Sequence, residues 1–244
     1  MASEADICNL ALGNLGDAAT VASIDPPEGS AQAEHCARFY PIARDALLEM
    51  HDWSFATKRM VLPLLATNPT NQWAYAYAAP SDMVNTISVL DMNATDDTSA
   101  PLLADAIFTG YPVTPGVDGM SNYQLLPQMG IYTPQPFSLE SGADGSDVIY
   151  TNQANACLRY VAKITDTTKF SPLFINTLAA SLTSMLAGPV LKGEAGATMA
   201  MRWHMIAFGQ DGKSGFFGKA AASDAGQKRA TTRERQQVSW VVGR

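Results

Sequence analysis

The sequence predicts an α+β chain: a helical bundle of about four helices, a β-rich insertion and an extended C-terminal arm. Three observations predict it. Apolar residues recur at helical spacing towards both ends of the chain. Between about residues 56 and 164 the pattern shifts to a period of two. After residue 222 the chain is polar and basic until Trp240. The expected division is 1–56 with 165–222 for the bundle, 57–164 for the insertion and 223–244 for the arm.

Ser3 followed by Asp6 reads as an N-cap with an acidic first turn, and Ile7, Leu10, Ala11 and Leu15 mark one helical face as far as Gly16. Residues 17–29 hold Pro26, Pro27 and Gly29 and read as a loop. Ser30 caps a second helix through Glu49, with Ala33, Cys36, Ala37, Tyr40, Ala43 and Leu47 along its apolar line. Pro41 removes a donor inside that pattern, so a kink or restart is expected there.

In the insertion, Trp73, Tyr75 and Tyr77 alternate with alanines until Pro80, and a second strand falls near Thr86 to Leu90. Strands at Phe137–Ser141 and Val148–Tyr150 flank Gly142-Ala143-Asp144-Gly145, which is hairpin chemistry, and Leu158 to Ile164 supplies the last alternation. The stretch 92–136, rich in Pro, Gly, Thr and Asp, is too long for an inert connection and reads as an excursion from the sheet. Helices return at Ser171-Pro172, a cap with proline in the first turn, and again near Glu194, where Met201, Met205 and Phe208 follow. Glycines at 209, 212, 215 and 218 mark a break or a helix that needs outside support.

Of the 244 residues, 47% are hydrophobic and 16% charged, which excludes a disordered chain. Three cysteines, Cys8, Cys36 and Cys157, with no C-x-x-C pair, exclude a disulfide framework or zinc finger and point to a reducing setting. The N-terminus shows neither a basic nor a long apolar region, so Sec export is not expected. The 22 uncharged residues between Lys169 and Lys192 match a bilayer span in length. Asn176, Thr177, Ser181, Thr183 and Ser184 interrupt them, so an amphipathic helix with an uncharged outer face, suited to a subunit interface, is expected instead, and no membrane.

Charge is segregated along the chain. Residues 60–158 hold no lysine or arginine against nine acids, whereas 159–222 hold seven cations against three acids and 223–244 five against two. Such segregation suits surfaces that face different partners, or copies that meet head to flank.

Candidate chemistry is sparse. Gly212-Lys213-Ser214 ends like a phosphate-binding loop, but Ala207 stands where the first glycine belongs and a helix precedes the segment where a strand is required. No G-x-S-x-G elbow is present, and His35, His51 and His204 form no metal-ligand pattern. Asp144 and Asp147 lack the spacing of a calcium loop and read as a solvated turn. The expected catalytic, cofactor and metal sites are therefore none. The tail with Arg229, Arg233, Arg235 and Trp240 is thin for nucleic acid, because stacking grooves use several aromatics. It suits a segment that docks on a protein, with Trp240 as anchor and the arginines on an acidic rim.

The blocks Asp6-Ile7-Cys8-Asn9-Leu10-Ala11-Leu12, Cys36 to Asp45 and His51-Asp52-Trp53-Ser54-Phe55-Ala56 resemble the tail tubular protein A family, the head-to-tail adaptors of short-tailed bacteriophages. So do Trp73 to Tyr77 with Pro80-Ser81-Asp82, Tyr160-Val161-Ala162 with Thr165-Asp166, and Phe170 to Phe174, in matching order and spacing. The resemblance covers 5–65, 72–90 and 148–190. Pro41, the long 92–136 stretch and the glycines from 209 to 218 depart from the family's pattern.

The resemblance implies a structural protein and not an enzyme: a twelve-copy ring in the virion, assembled in the host cytoplasm, that joins the portal to the tail nozzle. Tail fibres are a further expected partner. In this frame Arg229, Arg233, Arg235 and Trp240 are expected at the portal, and Tyr40, Trp53 and Phe55 in a structural junction core. Asp96 and Asp97 belong to an acidic surface which, lining the channel, would let genomic DNA pass without sequence-specific binding. Two alternatives remain at this level: a tail-associated polysaccharide hydrolase working through carboxylates of the insertion, and a head-completion or stopper protein of a longer-tailed phage.

Overall fold

The structure is a computed structural model and describes residues 2–18, 20–69, 72–92, 134–142, 144–212 and 214–236, the last nine by backbone alone. Among these residues it is an α+β chain with five α-helices and two small antiparallel sheets. They fall into two compact units, Met1–Ala56 with Lys163–Arg244, and Thr57–Ala162.

In the first unit, α1 (Glu4–Asn14) starts in a capping box: the Asp6 N–H donates to Ser3 Oγ at 3.1 Å and the Ser3 N–H to Asp6 Oδ2 at 2.8 Å. Those two bonds hold the Asp6 carboxyl below its usual range. The helix buries Ile7, Cys8, Ala11 and Leu12, while Leu10, expected on the same face, points outward. Past the helix, Asn9 anchors the chain by donating to the Val21 carbonyl at 2.9 Å and accepting from the Val21 N–H at 2.7 Å.

Ser30 caps α2 (Ala31–Glu49) by accepting from the Ala33 N–H at 3.1 Å. This helix continues through Pro41 with no restart. Ala33, Cys36, Tyr40, Ala43 and Leu47 are all buried along one face, and that packing offsets the roughly 3 kcal/mol an interior proline costs.

Ser171 and Pro172 open α3 (Pro172–Leu191), which packs against α1, α2 and the two helices that follow. Among the described residues this is the helix long and apolar enough to cross a membrane, and 56% of its most apolar window is buried in the protein. Three of the five polar residues expected on an uncharged outer face do not lie there, whereas Asn176 is exposed and Ser184 half-buried. Thr177, Ser181 and Thr183 are buried, and Thr177 and Thr183 satisfy their hydroxyls on the carbonyls of Leu173 and Ala179, 2.8 and 2.7 Å away and one turn back. A threonine that bonds its own helix can occupy a core position, so the polar pattern did not mark solvent.

A short turn leads to α4 (Gly193–Phe208), which ends on Gly209 with φ of +78°, a conformation that favours glycine. The glycine segment is thus a break, and α5 (Phe216–Gln236) follows it. The extended arm expected from residue 223 is helical as far as Gln236. No glycine or proline falls between Gly226 and Gln236, and Ala, Gln, Lys, Arg and Glu are strong helix formers. Residues 237–244, with Trp240, lie outside the described residues, as does 93–133.

The second unit holds two three-stranded sheets. In the first, β6 (Ala156–Ala162) lies between β1 (Thr57–Val61) and β3 (Met83–Asp91), with Thr57 opposite Val161 and Leu90 opposite Cys157. In the second, β5 (Asp147–Thr151) lies between β2 (Tyr75–Ala78) and β4 (Phe137–Ser141). Tyr160 of β6 and Lys58 of β1 both meet Asp82, the hydroxyl donating at 3.0 Å and the ammonium at 2.6 Å. Asp144 in the β4–β5 turn accepts from the Ser146 N–H and hydroxyl, a local turn that holds its carboxyl below the usual range.

Candidate functional site

The helical unit is organised around Trp53, which is 1% exposed and donates Nε1–H to the Leu47 carbonyl at 2.7 Å. Its ring meets Phe174 of α3 edge-on at 5.0 Å, Phe217 of α5 at 6.0 Å and His51 at 4.7 Å. Phe55 joins through Phe174 at 5.1 Å and Phe170 at 5.6 Å. Edge-to-face geometry places the positive ring edge on the negative face and adds to the burial of these large side chains.

Seven residues after Phe217, on the same face of α5, comes the buried Asp224. Its carboxylate accepts from the Ser54 N–H at 3.0 Å and from the Ser54 hydroxyl, and lies 3.3 Å from His51 Nε2. Serine, carboxylate and imidazole meet here in an order that activates no nucleophile, because the carboxylate stands between the other two. The arrangement instead fixes the direction in which α5 leaves the unit.

On the other side of α5's first turn lies an open cleft of about 400 Å³. Leu10 and Asn14 of α1, Ala179 of α3, Trp203 and Ile206 of α4, and Phe216 line it. Ile206 also borders a shallower hollow of about 550 Å³ along α4, where Met201 and Met205, one turn apart, are 69% and 41% exposed. Of the apolar residues noted in α4, Met201 and Met205 lie on the surface and Phe208 is half-buried, while Ala207 and Gly196 are the residues that α4 buries. A contiguous apolar strip carries more meaning than scattered exposed residues, since single ones are normal on any surface.

The structure brings Trp53 and Phe55 together, as described. Tyr40 sits apart from them on α2, beside Arg44, with its hydroxyl buried and, among the described residues, unpartnered, and burial pushes the phenol up. Arg229, Arg233 and Arg235 fall in the second half of α5. Asp96, Asp97 and Trp240 lie outside the described residues.

Asp224, Trp203, Ile206 and Phe216 were not singled out from sequence. Asp224 meets a partner 170 residues away, and no local pattern marks such a contact. Ile206 falls one residue after Met205 in the apolar line of α4 and was the nearest signal for the cleft. Comparison of the sequence with family models and with curated proteins gives no match.

Proposed function

We propose that this chain is a structural head-to-tail adaptor of a bacteriophage, twelve copies forming a ring that joins the portal to the tail nozzle and continues the DNA channel. The observation that carries this reading is the behaviour of the sequence blocks that resemble tail tubular protein A. Trp53 and Phe55 from one block and Phe170 and Phe174 from another, more than a hundred residues later, pack into one cluster. Those two blocks therefore belong to the frame of one helical unit. In this reading the helices form the bundle that makes the ring wall, and the role is structural rather than catalytic.

Arg229, Arg233 and Arg235 supply the portal contact. In this reading the acidic stretch 60–158, which includes Asp96 and Asp97, supplies negative charge to the channel, and like charge keeps passing DNA from adhering. Reversal of the three arginines to glutamate is expected to leave circular dichroism unchanged and to abolish joining to filled heads in an assembly assay. Normal joining by that variant would remove α5 from the portal contact and defeat this part of the reading.

A further inference from the structure

We infer that the cleft between α1, α3 and α4 receives the C-terminal segment of a second copy of this chain, with Trp240 as the side chain that fills it. Three facts about lengths and surfaces lead there. The cleft holds about 400 Å³, is lined by Leu10, Trp203, Ile206 and Phe216, and continues into the exposed strip of Met201 and Met205. That is room for an indole with an adjoining valine, and a buried tryptophan removes some 150–250 Å² from water.

The segment that follows Gln236 reads Gln237-Val238-Ser239-Trp240-Val241-Val242-Gly243-Arg244, four apolar side chains among eight residues. The chain thus carries an apolar cleft and, after residue 236, an apolar segment. They cannot meet within a chain. Phe216 lines the cleft and is also the first residue of α5, whose 21 residues carry the backbone about 30 Å away. Trp240 lies four residues beyond the last described turn, a span of at most about 14 Å when fully extended. Its own cleft is therefore out of reach by roughly 15 Å.

A contact in which the end of one copy enters the cleft of the next is heterologous: donor and acceptor surfaces differ, and repetition closes a ring or propagates a filament. The ring, though not the pairwise contact, rests on the adaptor reading. It also moves Trp240 from the portal, where the resemblance puts it, to the neighbouring subunit, and leaves the arginines of α5 to the portal.

The test uses the chain ending at Gln236 and a fluorescein-labelled peptide of residues 237–244, followed by fluorescence polarisation. The peptide is expected to bind the shortened chain. Affinity is expected to fall about thirtyfold or more when the peptide carries Trp240→Ala, and by a similar factor when the chain carries Leu10→Glu. Leu10 is already 44% exposed, so that substitution leaves the fold intact, and the peptide variant raises no question of folding. Absence of peptide binding, or binding that ignores both substitutions, overturns the inference and leaves the cleft to a different protein. Peptide binding together with normal head joining by the arginine-reversed chain would defeat the portal contact and leave the subunit contact standing.

Discussion

Replacement of Trp53 by alanine is expected to lower the folding free energy by about 3 to 5 kcal/mol. The side chain is fully enclosed, and three elements, α2, α3 and α5, converge on it through the Leu47 carbonyl, Phe174 and Phe217. Truncation removes the transfer free energy of an indole and leaves a cavity that rigid helices on several sides cannot close. It also strips the N–H partner from a carbonyl in the last turn of α2, where intrahelical partners run out. Trp53→Phe keeps most of the packing and loses the hydrogen bond, so its cost should be nearer 1 to 2 kcal/mol. Urea unfolding followed by circular dichroism measures both. A midpoint for the alanine variant equal to that of the native chain would contradict the placement of Trp53 at the centre of the unit.

Asp224→Ala is the second large effect, about 2 to 3 kcal/mol, and its signature differs from that of the tryptophan change. The buried carboxylate collects the Ser54 N–H and hydroxyl and lies against His51, so its loss leaves these part-buried contacts without their acceptor. Hydrogen bonds to a charged acceptor are stronger than neutral ones, which sets the scale. Because every one of these contacts joins α5 to residues 51–54, the loss should be local before it is global. Amide exchange is expected to accelerate in α5 while α3 keeps its protection. Equal acceleration in both helices would mean that Asp224 supports the whole unit and not the last helix in particular.

These two residues also show what the sequence made legible. Trp53 was readable because a tryptophan beside Phe55, at the end of an amphipathic helix, has few places to go but a core. Helix starts were readable for the same local reason: Ser3, Ser30 and Ser171 each satisfy a backbone donor three residues on, and that spacing is written in the chain. The two-residue period likewise located the strands from Tyr75 to Ala162 to within a few residues.

Where local pattern and tertiary packing disagree, packing decided. Leu10 shares a helical line with Ile7 and Ala11 yet faces out, because Cys8 and Leu12 turn the buried face by one position. Thr177 and Thr183 of α3 resembled part of a wet face and are core, since a threonine can bond its own helix. The strand β1 was missed: Thr57-Lys58-Arg59-Met60-Val61 is largely exposed and shows no alternation. Its place comes from pairing with β6, roughly a hundred residues later. The C-terminal helix was misjudged because basic, polar composition suggested extension, whereas the propensities of the same residues favour a helix. The cleft was the least legible feature of all, being assembled from side chains of four helices, none of which signals it alone.

The central claim is that the chain joins a portal as a ring, and native mass spectrometry of the purified protein mixed with its own portal ring tests it most directly. The account predicts a complex in which one portal ring carries twelve copies. A chain that leaves the portal ring unbound at every ratio would contradict it.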